Sequence, residues 1–310
     1  MKKYVISRGI KVLVTIWFVW TLIFVLTRFT GDPIEWIFGD QDTSEAAINA
    51  LRESLGLDLP IWKQYFVSIT GLFRGNAGTS YYFSRPVAEL FAERIGATAS
   101  LGAGSLGLAV LIGVPMGLFA AIKRGTFYDR TCIGITVIGN TIPNFVLGIL
   151  LIYVFSLKLR MLPSGSTGTW KNYIMPMVTL AVAPTTTIAR LTRTALLDVI
   201  GQDYLDCARA KGVDERIVMF KHALRNALIP VVTVMGTQLS ILIGGAVIVE
   251  NVFAWPGMGT LIIKAAQRRD FPVVQYGILM IVIFVSIVNF AVDLSYGFLD
   301  PRIRDSRDNS

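Results

Sequence analysis

The stretch Ala99-Ser-Leu-Gly-Ala-Gly-Ser-Leu-Gly-Leu-Ala-Val-Leu-Ile-Gly-Val-Pro-Met-Gly-Leu-Phe-Ala-Ala-Ile122 carries no charged side chain and stops against Lys123-Arg124. A helix rising 1.5 Å per residue needs about 20 residues to cross the hydrocarbon of a bilayer, and this block has that length. Working outward, similar blocks recur at Ile10–Thr27, Ile133–Leu157, Tyr173–Leu197, Leu228–Ile248 and Val274–Val292. The pattern predicts an all-α membrane protein with six transmembrane helices. Composition agrees: 53% of residues are hydrophobic, only 16% are charged, and the mean hydropathy is +0.59. A soluble domain carries about 25% charge.

The net charge of +8 would suggest nucleic acid in a soluble chain. Here the basic residues flank apolar blocks, with no basic run interleaved with aromatics, so they read as topology signals. Lys2, Lys3, Arg8 and Lys11 precede the first block. Lys123, Arg124 and Arg130 follow the second. Arg190, Arg193, Arg209, Lys211, Arg216, Lys221 and Arg225 surround the link between the fourth and fifth, and Arg302, Arg304 and Arg307 close the chain. Both termini are therefore expected in the cytoplasm. Lys158, Arg160, Lys171, Lys264, Arg268 and Arg269 run against the rule, because this topology places them outside. The first block lacks an A-x-A cleavage site and reads as a retained span rather than a signal peptide.

Four regions follow: a cytoplasmic tail and first helix at 1–28, an extracytoplasmic segment at 29–97, a five-helix core at 98–297, and a cytoplasmic tail at 298–310. The segment at 29–97 has an acidic excess. It also holds Leu55, Leu57, Leu59, Ile61, Trp62, Tyr65 and Phe66, enough apolar side chains for short helices broken by Gly56 and Pro60. Cys132 and Cys207 are the two cysteines and His222 the only histidine, so neither a disulfide nor a multi-histidine metal centre is expected.

Within the spans, Gly113-x-x-x-Gly117 is a close-packing pattern. Asn140 and Asn144 of the third span share a helix face, with Pro143 between them. Thr186 lies in a threonine run, and Asn289 sits in the last span with Asp293 just beyond it. These residues are candidates for a polar pathway or for helix–helix contacts, and spacing does not separate the two. Asp293 reads as an interfacial charge paired with a nearby Arg.

The segment Asp203-Tyr-Leu-Asp-Cys-Ala-Arg-Ala-Lys-Gly-Val-Asp-Glu-Arg-Ile-Val-Met-Phe-Lys-His-Ala-Leu-Arg-Asn-Ala-Leu-Ile-Pro230 is too charged to span. Tyr204, Leu205 and Ala208 fall on one helical face. Gly212 can stop that helix in the left-handed conformation, and Asp214 can cap the next. Two short helices, within 200–226, are expected to project from the membrane. Docking to a protein groove and lying on lipid headgroups both fit such a hairpin.

Asp206-Cys-Ala-Arg-Ala-Lys-Gly212 resembles the cytoplasmic coupling motif of ABC-importer permeases, with Cys207 where alanine is usual. The family's Ile-x-Leu-Pro is replaced by His222-Ala-Leu-Arg225, with the proline later at Pro230. Ala-Arg-Ala-Lys-Gly followed by His-Ala-Leu-Arg-Asn-Ala-Leu-Ile-Pro is similar to the dipeptide, oligopeptide and nickel branch. So are Gly31-Asp-Pro33, Leu55-Gly-Leu-Asp58, Gln64-Tyr65, Gly78-Thr-Ser80, Leu162-Pro-Ser-Gly165, Glu250-Asn-Val-Phe-Ala-Trp-Pro-Gly-Met-Gly259, Arg269-Asp-Phe-Pro272 and Asp300-Pro-Arg302.

The resemblance implies a type I importer permease. Such a chain pairs with a second, homologous permease and receives substrate from an extracytoplasmic binding protein. Two ATP-binding subunits holding ATP and Mg²⁺ dock on Tyr204, Asp206, Ala208, Arg209, Ala210, Lys211 and Gly212. Its function would be alternating-access import of short peptides, or alternatively of nickel or metal chelates. A scaffold or receptor without transport is the rival of another class. A membrane-embedded enzyme finds no support: the chain has no His-Glu-x-x-His, no Gly-x-Ser-x-Gly and no phosphate loop. No cofactor and no nucleic acid are expected on this chain.

Overall fold

The computed structural model describes residues 2–29, 34, 44–54 and 56–299. Gly31-Asp32-Pro33, Leu55, the Asp293 side chain and Asp300-Pro-Arg302 lie outside the described residues. Helix α1 runs Lys2–Phe29, α2 Glu45–Ser54, α3 Ile61–Phe73, α4 Val87–Ile122, α5 Phe127–Thr141 and α6 Asn144–Lys158. Helix α7 runs Lys171–Ile200, α8 Asp203–Ala210, α9 Glu215–Val252, α10 Met258–Gln267 and α11 Phe271–Leu299. Among the described residues there is no strand, only one isolated bridge between Thr79 and Pro86.

Helices α1, α4, α7, α9 and α11 are each long and apolar enough to cross a membrane, and the bent pair α5–α6 makes a sixth when it is counted as one broken span. All six expected blocks are present, but the third is not one continuous helix. Its halves meet at 100°. The cause is local: Ile142 precedes Pro143 and adopts φ −75°, ψ 121°, the extended conformation that a following proline imposes. Asn140 and Asn144 therefore stand on opposite sides of the break and share no helix face. A second correction concerns the hairpin. Its distal helix is not short, because α9 continues through π-helical turns at Val218–Ala223 and past Pro230 to Val252.

Lipid-facing side chains explain the composition. Leu13, Trp17 and Phe18 on α1 and Leu111 on α4 are more than half exposed, which water would not tolerate on this scale. Inside, α4 and α7 cross at close range through Gly113 and Gly117. A Cβ on Gly117 would sit 2.3 Å from the Ala189 carbonyl oxygen, and one on Gly113 would sit 2.9 Å from that of Thr185. Hydrocarbon supplies no hydrophobic drive between helices, so this backbone approach is what dispersion contact requires.

Two further cores mark the ends of the bundle. At one end, Leu118, Ala121, Leu196, Leu205, Met219 and Ala227 join α4, α7, α8 and α9. At the other, Leu90, Phe91, Leu261, Ile262 and Val273 join α4, α10 and α11.

Candidate coupling hairpin and translocation cavity

The α8 hairpin is built from its glycine. Gly212 sits at φ +75°, which a side chain disfavours. From there its N–H donates to the Arg209 carbonyl at 2.9 Å, and the Val213 N–H donates to that of Ala208 at 3.3 Å. This paired return closes α8 in a Schellman motif. Asp214 then opens α9, its carboxylate accepting from the Arg216 N–H at 2.8 Å. Both terminators were legible in the sequence.

Of the face expected for Tyr204, Leu205 and Ala208, Leu205 is the anchor, fully buried between the ends of α4, α7 and α9. Tyr204 stays exposed, its hydroxyl accepting from the Asn226 amide at 2.8 Å. Arg209 is occupied within the hairpin: it donates to Asp206 at 2.7 Å and to both Glu215 carboxylate oxygens at 3.1 Å. These bonds, that to Glu215 first, hold its guanidinium above its ordinary pKa. The outer surface left open is Asp206, Cys207, Ala210, Lys211 and Gly212, with Ile217 and Phe220 beside it.

The pathway candidates divide. Asn140 and Thr186 line one cavity of about 520 Å³ between α4, α5 and α7. Its walls are stripes at helical spacing: Cys132, Thr136 and Asn140 from α5, Thr186, Arg190 and Arg193 from α7. Asn144 lies instead near Gly245 of α9, and Asn289 accepts from the Ser240 hydroxyl at 3.0 Å.

An ion pair that the sequence did not single out holds Arg193 of the cavity wall. Arg193 donates to Asp129 through Nε at 2.6 Å and Nη2 at 2.9 Å, and the Gly125 N–H adds a third bond at 2.9 Å. Asp129 is 64 residues from Arg193, a separation that no local pattern encodes.

Comparison with known proteins supplies the family. The model described as "Binding-protein-dependent transport system inner membrane component" matches residues 113–305, and the corresponding N-terminal model matches residues 1–102. The chain belongs to this family.

The permease is 40% identical over 305 residues to the glutathione transport system permease protein GsiC of Escherichia coli O6:H1, covering 98% of this chain and 99% of that one. The GsiC proteins of Escherichia coli K12 and Shigella dysenteriae serotype 1 match to the same extent. Among solved structures, the MetNI methionine ABC transporter in inward-facing conformations overlays with TM-scores of 0.56 and 0.57 in two crystal forms. Identity is 22% and coverage is 68% of this chain and 96% of that one, which supports the type I importer permease fold. The chain is thus a multi-pass inner-membrane subunit of an ABC importer rather than an enzyme. It works with ATPase and substrate-binding-protein partners, and ATP hydrolysis belongs to the ATPase.

At the end of the permease remote from α8, its sequence motifs interlock. Glu250, fully buried, turns back over Gly257 to cap α10. It accepts from the Gly259 N–H at 2.7 Å, the Thr260 N–H at 3.2 Å and the Thr98 hydroxyl at 2.6 Å. A Cβ on Gly257 would lie 2.2 Å from the Glu250 carboxylate, so glycine is required there. Gly165 of the Leu-Pro-Ser-Gly motif packs on the Phe253 carbonyl, and Trp255 donates to the Ala97 carbonyl at 3.1 Å. Nearby, buried Asp270 accepts from the Ser80 hydroxyl and from the N–H groups of Tyr81 at 3.1 Å and Tyr82 at 3.2 Å. The Glu-Asn-Val-Phe-x-x-Pro-Gly-Met-Gly and Arg-Asp-Phe-Pro signatures are therefore fastenings between segments.

Proposed function

We propose that the permease imports short peptides, forming half of an alternating-access pathway with a second, homologous permease. Two ATP-binding subunits, holding ATP and Mg²⁺, dock on the exposed surface of α8 around Asp206, Lys211 and Gly212. That end of the bundle, with both termini, faces the cytoplasm, and the Glu250–Asp270 end receives the loaded binding protein.

One observation carries the mechanical part. Leu205 plugs α8 into the ends of α4, α7 and α9, and α9 is one helix from Glu215 to Val252. A displacement of α8 is therefore passed directly to three spanning helices. ATP binding would tilt them, and only contacts that differ between the two states can drive that shift. For the cargo, the full-length likeness to glutathione permeases favours a peptide over a metal chelate, glutathione being a tripeptide.

The test is a complete transporter in proteoliposomes supplied with labelled tripeptide and ATP. Uptake that needs both ATP and the binding protein is expected, and absence of peptide uptake refutes the cargo. Orientation is read in intact cells by labelling Cys207, which is exposed, with an impermeant thiol reagent in a Cys132→Ser background. Labelling from outside refutes the docking assignment.

A further inference from the structure

Arg190 stands apart from Arg193, the other cation lining the cavity. Arg193 is neutralised by Asp129 through two hydrogen bonds. Arg190, one turn along the same face of α7, lines the cavity with no hydrogen bond or ion pair among the described residues. The space thus carries one uncompensated positive charge. It also presents Asn140 and Thr136 as polar side chains, between apolar Met116, Ile133 and Val137. Its volume of about 520 Å³ falls within the roughly 300–1,000 Å³ of small-molecule sites. Apolar walls with a few convergent polar groups and one free guanidinium suit a small molecule bearing a carboxylate.

On the peptide reading above, we infer that this cavity is a transit site for the cargo's carboxylate and that Arg190 is the group that recognises it. Arg190 is exposed in this single chain, so the cavity opens to solvent on one side; a carboxylate that leaves bulk water to enter it still gives up part of its hydration, which is costly. The planar guanidinium offsets that loss with paired N–H donors. Arg193 cannot substitute, since Asp129 already occupies its fork. Arg190 then lowers the barrier for anionic cargo independently of what the binding protein selects.

The experiment uses the complete transporter with its binding protein in proteoliposomes. ATP-driven uptake of one tripeptide is compared as the free acid and as the C-terminal amide, in wild type, Arg190→Gln and Arg190→Lys. Each peptide is delivered by the same binding protein in every variant, so its preference cancels in the ratio of ratios. Arg190→Gln is expected to lower the acid-to-amide ratio about tenfold, the scale of one lost charged hydrogen bond, and Arg190→Lys less than about threefold. Where the binding protein does not deliver the amide, the same contrast is read between Gln and Lys on the acid.

An unchanged ratio overturns the inference, including the case in which a lipid phosphate covers Arg190. Equal loss of both peptides together with ATPase stimulation overturns it as well, by placing Arg190 in coupling. A wild-type complex that imports neither peptide removes the peptide reading itself. That result differs from peptide uptake without charge dependence, which removes only the role of Arg190.

Discussion

Replacing Glu250 should loosen the end of the permease remote from α8 by an amount that its contacts define. In Glu250→Ala, the Thr98 hydroxyl and the N–H groups of Gly259 and Thr260 lose their acceptor. A buried donor left without a partner costs about 1–3 kcal/mol. The Thr98 hydroxyl hydrogen can turn about its C–O bond while the oxygen still accepts from the Met258 N–H at 2.9 Å, whereas the two N–H groups are fixed at the start of α10. The removed side chain also leaves a void beside Gly257. A loss of about 4 kcal/mol is the expectation from two stranded donors and the void. Glu250→Gln keeps the shape but points an amide at donors, for about 2 kcal/mol.

For a chain of this size 1 kcal/mol corresponds to about 2 °C, so Ala should lower the melting midpoint by about 8 °C and Gln by about 4 °C. The assay is size-exclusion of the detergent-extracted transporter, carrying a fluorescent tag on the permease, after heating steps. If Ala and Gln both melt within about 1 °C of wild type, which is below one stranded donor, Glu250 is not the fastening described.

Gly212→Leu forces a side chain into φ +75°, yet a Cβ there meets no atom within 4 Å; backbone strain of about 1–2 kcal/mol is the whole intramolecular cost. On the docking assignment uptake should fall while ATP hydrolysis persists, with Gly212→Asn close to wild type, and unimpaired uptake by the Leu variant would count against it. Asp129→Asn strands part of the Arg193 charge and should cost about 3 kcal/mol in thermal stability. Adding Arg193→Gln should recover part of that loss, and strict additivity of the two would deny the coupling. Gly117→Ala should destabilise by about 1–3 kcal/mol because α4 and α7 must separate. Gly107→Ala, with open space around the new methyl group, should be neutral or stabilising by up to about 1 kcal/mol; melting midpoints of the two variants separate the cases.

The sequence alone determined what short-range rules encode. Apolar block lengths set the number of crossings, and Gly113-x-x-x-Gly117 announced a close helix contact. Gly212 and Asp214 fixed where α8 ends and α9 begins, because capping bonds join residues within five positions of one another. Pro143 shows the limit of such rules. Pro115, Pro184 and Pro230 lie inside continuous helices, so a proline by itself does not announce a 100° bend. Only the packed structure decided that Asn140 joins Thr186 and Arg190 while Asn144 does not, that Arg209 is held by its own hairpin, and that Asp129 silences Arg193 but leaves Arg190 free. Those outcomes depend on which helices become neighbours. That is set by backbone approach and shape across the bundle, and no spacing along the chain records it.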